Sequence, residues 1–367
     1  MAYSKSNQFH GRLLDKMLLH GQVTRRQIGE GFGISKVAAS RHVDWMKEHG
    51  LTQSLTVRLP KIRRPVELLQ VNDSLATAMA VRLSSHQIAV DIVGTSGKVL
   101  QSRRLPVENA TQIDVLGAMR ELTAWAKHQV AILHRRLDLV GLAVNGFLEP
   151  TSGMIFKVTD VLDWEPCHLG NVIEELSGIP CFPWTSVSCR LRGLSQRIGL
   201  DHRVGYISHV DHGLAVASLE NGSIRMGRFG TSGGQVHHRV SESAARCICG
   251  RRGCLYDHLR AGDATAAMIL DVLPRITTAI NADVLGLEWP FGAADTAAVC
   301  PRLGARRLHR IQDGPALEQA GLHLACARAM LLEILAEKRP QIDRNIINHE
   351  TFRSVTTTES ALDPVTL

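Results

Sequence analysis

The chain has 367 residues, 44% of them hydrophobic, a net charge of +7 and 8 cysteines. That length exceeds what one hydrophobic core organises and implies two or three domains, while so few cysteines exclude a disulfide scaffold. No run approaches the roughly 20 apolar residues of a membrane span, and the polar start lacks the basic-then-apolar pattern of a secretory leader, so a cytoplasmic protein with no membrane partner is expected.

The charge is concentrated at the start. Residues 1–72 carry 12 Lys and Arg against 5 acids, whereas the remainder balances at 30 against 30. A basic module on a neutral body is the footprint of a polyanion binder, the plainer alternative being a solvated basic surface. Within this module Leu13, Leu14, Met17 and Leu18 recur at helical spacing before Gly21. Thr24 can cap a second helix running to Phe32, Gly33 supplies a turn, and Ser35 can cap a third helix reaching about His49.

Three short helices with a glycine turn between the last two predict a helix-turn-helix. On the third helix Ala39, Val43 and Met46 share the inward face, leaving Val37, Ser40, Arg41 and Asp44 outward with Ser35 and Lys36 at the leading end. Small and polar groups there suit a major groove, where arginine bridges guanine. The alternating stretches 51–59 and 66–71 predict a strand pair whose tip carries Lys61, Arg63 and Arg64, a wing for phosphates. The expected partner is a double-stranded DNA operator; an ordinary three-helix bundle is the alternative.

From residue 78 the pattern changes to strands (78–83, 88–93, 99–105), a long amphipathic helix (113–134) and a buried strand (139–144). It resumes with strands at 204–209, 213–219 and 223–228, so the expected class is α/β, built of two related halves, although no internal sequence repeat is visible. The boundaries read as 1–72, 73–340 and a polar tail, 341–367.

The strongest chemical signal is Cys247-Ile-Cys249-Gly250-Arg-Arg-Gly253-Cys254, with His237 and His238 upstream. Three thiolates and one imidazole satisfy tetrahedral Zn2+, and the two glycines let a short loop wrap one ion. Four protein ligands leave no open position, so the zinc is expected to be structural; a chance cysteine cluster is the alternative.

These residues resemble the ROK (repressor, open reading frame, kinase) family, specifically its transcriptional repressors. The segment Gly230-Thr-Ser-Gly233-Gly234-Gln-Val-His237-His-Arg-Val240 and the cysteine loop look like the family's G-x-x-G-E-I-G-H-x-x-V and C-x-C-G-x-x-G-C-L-E motifs. Weaker matches fall at residues 140–146, Leu162-Asp-Trp164 and residues 316–329. The resemblance implies a winged helix-turn-helix ahead of an actin-like (ribonuclease-H-like) duplicated α/β body, usually a homodimer or homotetramer, and it selects His237 as the zinc ligand. It also places an effector pocket at Asn145, Gly146, Thr185, Ser186, Gly234 and Tyr256.

Departures from the family decide the expected activity. Its D-x-G-x-T phosphate loop falls on Arg82-Leu83-Ser84-Ser85-His86, which lacks both the acid and the glycine turn. Its Asn-Asp pair, whose Asp serves as base, falls on Thr185-Ser186, and a serine cannot act as that base near neutral pH. Two sugar-clasping glutamates fall on Gly234 and Tyr256.

The expectation is therefore a non-enzymatic regulator, a repressor of carbohydrate-related genes whose inactive body senses a sugar. One alternative is an active sugar kinase using Asp211 or Glu149 as a replacement base, and another is an effector-independent DNA-binding protein with a vestigial pocket. The stretch from Cys254 to Ile280 is also short relative to the family.

Overall fold

The computed structural model describes residues 5–58, 65–84, 87–107, 110–149, 152–159, 161–199, 203–210, 213–220, 223–225, 237–242, 246–247, 250–261, 263–288 and 307–337.

The N-terminal unit consists of α1 (Lys5–His20), α2 (Arg25–Phe32), α3 (Lys36–Glu48) and an antiparallel pair, β1 (Thr52–Val57) with β2 (Val66–Val71). The caps foreseen in the sequence are made. Thr24 Oγ1 accepts from the Gln27 amide while the Gln27 side chain returns a bond to the Thr24 amide, a complete capping box. Gly33 takes the left-handed conformation (φ 63°) that turns the chain between α2 and α3, and Ser35 Oγ accepts from the Ala38 amide. The hairpin is fastened to the helices by Glu67, which accepts from Arg25 (2.9 Å), Lys47 (2.8 Å) and Ser54 (2.8 Å).

The body contains two five-stranded sheets. The first is built from β3 (Thr77–Leu83), β4 (Gln87–Gly94), β5 (Val99–Pro106), β6 (Leu139–Val144) and β9 (Cys181–Thr185), ordered β5-β4-β3-β6-β9. The second comprises β10 (Val204–Val210), β11 (Gly213–Glu220), β12 (Ser223–Arg225), β13 (Val284–Glu288) and β14 (Arg307–Ile311), ordered β12-β11-β10-β13-β14.

Both sheets share one plan, an antiparallel three-strand meander extended by two parallel strands. This is the duplication whose sequence repeat is not visible: the two halves keep one strand order and pairing pattern, with central strands buried on both faces, which many apolar side-chain sets satisfy.

Helices complete the layers. One face of the first sheet packs on α4 (Gln112–Ile132) and α5 (Leu169–Ser177), through residues such as Met119, Leu122, Val140 and Ile173. A small hairpin, β7 (Gly146–Leu148) with β8 (Ile155–Val158), follows β6. Between Cys254 and β13 the chain forms α7 (Leu255–Ala261) and α8 (Ala266–Ile280), which bury Leu255, Leu259, Ile269 and Leu273 against the second sheet.

Two helices join the halves. The helix α6 (Ser186–Ile198) leads from β9 of the first sheet to β10 of the second, and α9 (Gly314–Glu337) follows β14 and returns across α6 to the first sheet. They approach backbone to backbone. A Cβ at Gly193 would overlap the carbonyl of Leu317, and one at Gly321 the carbonyl of Cys189. The far end of α9 carries Ala327 and Leu331 into the core formed by Leu13, Leu14, Met17 and Leu18 of α1. Among the described residues no helix is long and apolar enough to cross a membrane.

Candidate functional site

Three places on this scaffold carry the sequence-predicted residues. On α3, buried Ala39, Val43 and Met46 fix which face points out. Lys36 and Arg41 are exposed and Val37 is 63% exposed, an uncommon state for a valine. Ser35 spends its hydroxyl on the helix cap; Ser40 is half-buried, with its carbonyl accepting from Arg25 (3.3 Å). Asp44, read as outward, is exposed and paired with Arg25 at 2.8 Å, so the acid three residues after Arg41 on the same helix is already engaged. Arg63 and Arg64 of the hairpin tip lie outside the described residues.

The cysteine-histidine loop is built by two tight turns. Gly250 and Gly253 both take left-handed φ values, 83° and 67°, and a Cβ at Gly253 would overlap the Ser241 carbonyl. Bridges between Arg239 and Cys254 and between Arg246 and Arg252 then fold the segments face to face. The result places His237 Nδ1 3.3 Å from Cys247 Sγ, with the donor atoms of His237, Cys247 and Cys254 all within 4.8 Å of one another.

Ligands about 2.0–2.3 Å from zinc stand roughly 3.4–3.8 Å apart at tetrahedral angles, so this spacing fits one ion. Both thiols are buried, at 4% and 0% exposure, and neither is in a disulfide. Burial lowers the His237 pKa, with Arg251 adding to the effect and Asp257 opposing it, so the imidazole is held in the neutral form that binds metal. Cys249, the fourth expected donor, lies outside the described residues; His238 is outside the three-donor group, its carbonyl accepting from the Leu255 amide.

The expected effector positions divide. Asn145 follows β6 and Thr185 closes β9, neighbouring parallel strands in which Val144 pairs with Thr185. The hydroxyls of Thr185 and Ser186 are already committed. Thr185 caps α6 through the Ser188 amide and shares a 2.7 Å bond with the Ser188 hydroxyl, while Ser186 donates to Glu318 at 3.0 Å. Gly146 begins β7, where a Cβ would overlap the Lys157 carbonyl, so the glycine is required by the hairpin. Tyr256 packs on the core of the second sheet with its ring 5.3 Å from that of His237. Gly234 lies outside the described residues, as does Asp211, and Glu149 is bound to Ser152 in the hairpin turn.

Two buried polar groups here were not visible from sequence. Asp91 accepts from Ser102 (2.6 Å), Gln319 (2.9 Å) and His323 (3.0 Å), with Arg82 at 3.8 Å. Burial opposes its ionisation, but the bonds from His323 and Ser102 win and lower its pKa. Arg82 thus stands, in the place of the missing phosphate-loop acid, as a cation beside a carboxylate. The second group centres on Arg190, which bonds Glu288 (2.6 Å), Glu318 (3.0 Å) and Ser208 (2.9 Å). A charged residue in a predominantly small and polar helix gives no sequence signal for such partners, 98 and 128 residues away.

The two-sheet body with a cysteine-histidine loop defines a protein of the sugar-kinase architecture carrying an additional N-terminal unit. Residues 78–281 match the ROK family, and the chain belongs to it. It is 24% identical over 265 residues to the DNA-binding transcriptional dual regulator NagC of Escherichia coli, covering 71% of this chain and 64% of that protein. It is 21% identical to an N-acetylmannosamine kinase of Yersinia pestis, over 74% of this chain and 82% of the kinase.

Among solved structures, a ROK family transcriptional regulator described as a homologue of the Escherichia coli MLC protein superposes with a TM-score of 0.61. That superposition has 17% identity and covers 90% of this chain and 98% of the other. At that identity the likeness establishes the fold.

Proposed function

We infer that the protein is a DNA-binding transcriptional regulator, a repressor of carbohydrate-related genes, with a body that does not transfer phosphate. Residues 1–72 act as a winged helix-turn-helix, 73–340 as the body and 341–367 as a polar tail. The observation that carries the reading is the outward face of α3, with Lys36, Val37 and Arg41 exposed on a unit holding 12 cations against 5 acids. Similarity to a regulator named for DNA binding supports it. A homodimer would set two such helices on a pseudo-palindromic operator, with Arg63 and Arg64 on the flanking phosphates.

His237, Cys247, Cys249 and Cys254 would hold a structural Zn2+, whose contribution is to tie the loop before α7. A sugar effector would enter by Asn145, Gly146, Thr185, Ser186, Gly234 and Tyr256. The internal bonds of Thr185 and Ser186 favour weak or absent sugar recognition at those two residues.

The test is binding to genomic fragments followed by footprinting with the full chain. Arg41→Ala should weaken specific binding by about 10-fold or more while non-specific binding changes little; an unchanged footprint would remove α3 from the groove. The kinase reading is favoured by the similarity to an N-acetylmannosamine kinase. Sugar-dependent ATP turnover by the purified protein would establish it and displace the inactive-body reading.

A further inference from the structure

Arg190 lies where α6, α9 and the second sheet meet. It stands on α6, the link between the sheets, with its side chain 10% exposed. Its Nη1 donates to Glu288, the last residue of β13 in the second sheet, and to Ser208 of β10; its Nε donates to Glu318 of α9. The same Glu288 oxygen accepts from Ser208 (2.7 Å) and Tyr206 (3.1 Å). The other oxygen of Glu288 fills the space beside Gly314, at the first turn of α9, where a Cβ would overlap it.

Two carboxylates against one guanidinium leave an excess negative charge in a buried place. Hydroxyls from Tyr206, Ser208 and Ser186 offset it, as does the positive end of α9. Buried ion groups of this kind add little net stability over an apolar replacement, since desolvation consumes most of the attraction. Their attested use is to specify one arrangement against others.

Both helices held by this group reach the N-terminal unit. On α6, six residues beyond Arg190, Gln196 donates to the Leu18 carbonyl of α1 (3.3 Å). On α9, ten residues beyond Glu318, Arg328 pairs with Asp15 of α1 at 2.8 Å, and Ala327 and Leu331 enter the α1 core. The glycine contacts between α6 and α9 leave no slack, so a shift of either helix is passed to the other.

We propose that Arg190, Glu288 and Glu318 form a latch that fixes the second sheet to the α6–α9 pair, and that release of the latch shifts α1 and the unit it belongs to. Closure of the body and placement of α1–α3 are then one equilibrium. The contacts are internal to this chain and the test needs no DNA, so it reads α1 directly and its failure is distinct from failure of the regulatory reading.

The experiment is amide hydrogen exchange on the full chain, comparing wild type with Glu288→Gln, Arg328→Ala and the double variant. Glu288→Gln keeps the shape and removes the negative charge that faces Arg190. It should raise exchange in α1 (residues 13–20) about 5-fold or more, the scale of an ordinary coupling free energy. Arg328→Ala should raise exchange in α1 while leaving β13 protected. In the double variant the effects on α1 should be less than multiplicative, because the second change acts on a connection already broken. Tyr206→Phe, which deletes one bond to Glu288, gives the same direction at smaller size should Glu288→Gln fail to fold. Faster exchange at β13 and the first turn of α9 with α1 unchanged would overturn the proposal, as would effects of the two substitutions that simply multiply.

Discussion

At the level of single residues, the cysteine-histidine loop and the N-terminal core both hold a histidine neutral by burial, in different surroundings. His237 lies beside two buried thiols, whereas His10 is enclosed by rings: its ring stacks on Trp45 (4.1 Å, 2°), Nε2 meets His42 Nδ1 at 3.0 Å, and burial followed by repulsion from His42 and His49 lowers its pKa to about 4. The unfolded chain takes up that proton near pH 6.5 and the folded chain only near 4. The unit should therefore keep its stability above pH 6.5 and lose it progressively toward 4.

Glu67, held down to about 2 by Lys47, then Arg25 and Ser54, adds a second loss between its ordinary value and 2. Melting the protein from pH 7 to 4 should show Tm falling, and His10→Phe should flatten that fall; an unchanged profile would contradict the enclosed-histidine account. For the loop, purified protein should contain about one zinc per chain, and Cys254→Ala should lose the metal and speed proteolysis at residues 246–254. Retention of zinc by that variant would refute the ligand set. The loop was legible in the sequence because cysteine, histidine and glycine occupy a few adjacent positions. The Arg190 group was not, because its members are far apart along the chain and individually ordinary.

Among elements, caps and periodicity carried the N-terminal helices, the hairpin and α4 nearly to their ends. Local chemistry decides those features. The α6–α9 crossing depends instead on Gly193 and Gly321 facing carbonyls on a helix more than a hundred residues distant, and a glycine in a helix pattern reads only as a weak spot. Gly321→Ala should reverse the usual gain in helix propensity and cost roughly 1–3 kcal/mol or more, because a rigid carbonyl opposes the methyl. Urea denaturation of the full chain measures this; a stabilised variant would show that the helices can separate.

For the whole molecule, the sequence showed a basic module followed by an α/β body, while the duplication is visible only as identical strand order in the two sheets. A sheet covered on both faces requires apolar residues in register rather than particular side chains, so the shared topology needs no shared sequence. The effector positions mark the limit of reading by resemblance. Thr185 ends β9 and Ser186 begins α6, and their hydroxyls are used inside the protein.

The seat of Ala327 and Leu331 among Leu13, Leu14 and Met17 has a consequence for biosynthesis. A ribosome releases α1 some three hundred residues before α9, so the nascent N-terminal unit waits with part of its apolar surface uncovered while the body is made. Its final core is closed by a late contact of very long sequence separation, the kind that slows folding. Throughout that interval the unfinished surface offers a binding site for chaperones, and the unit acquires its mature stability only after the body has folded.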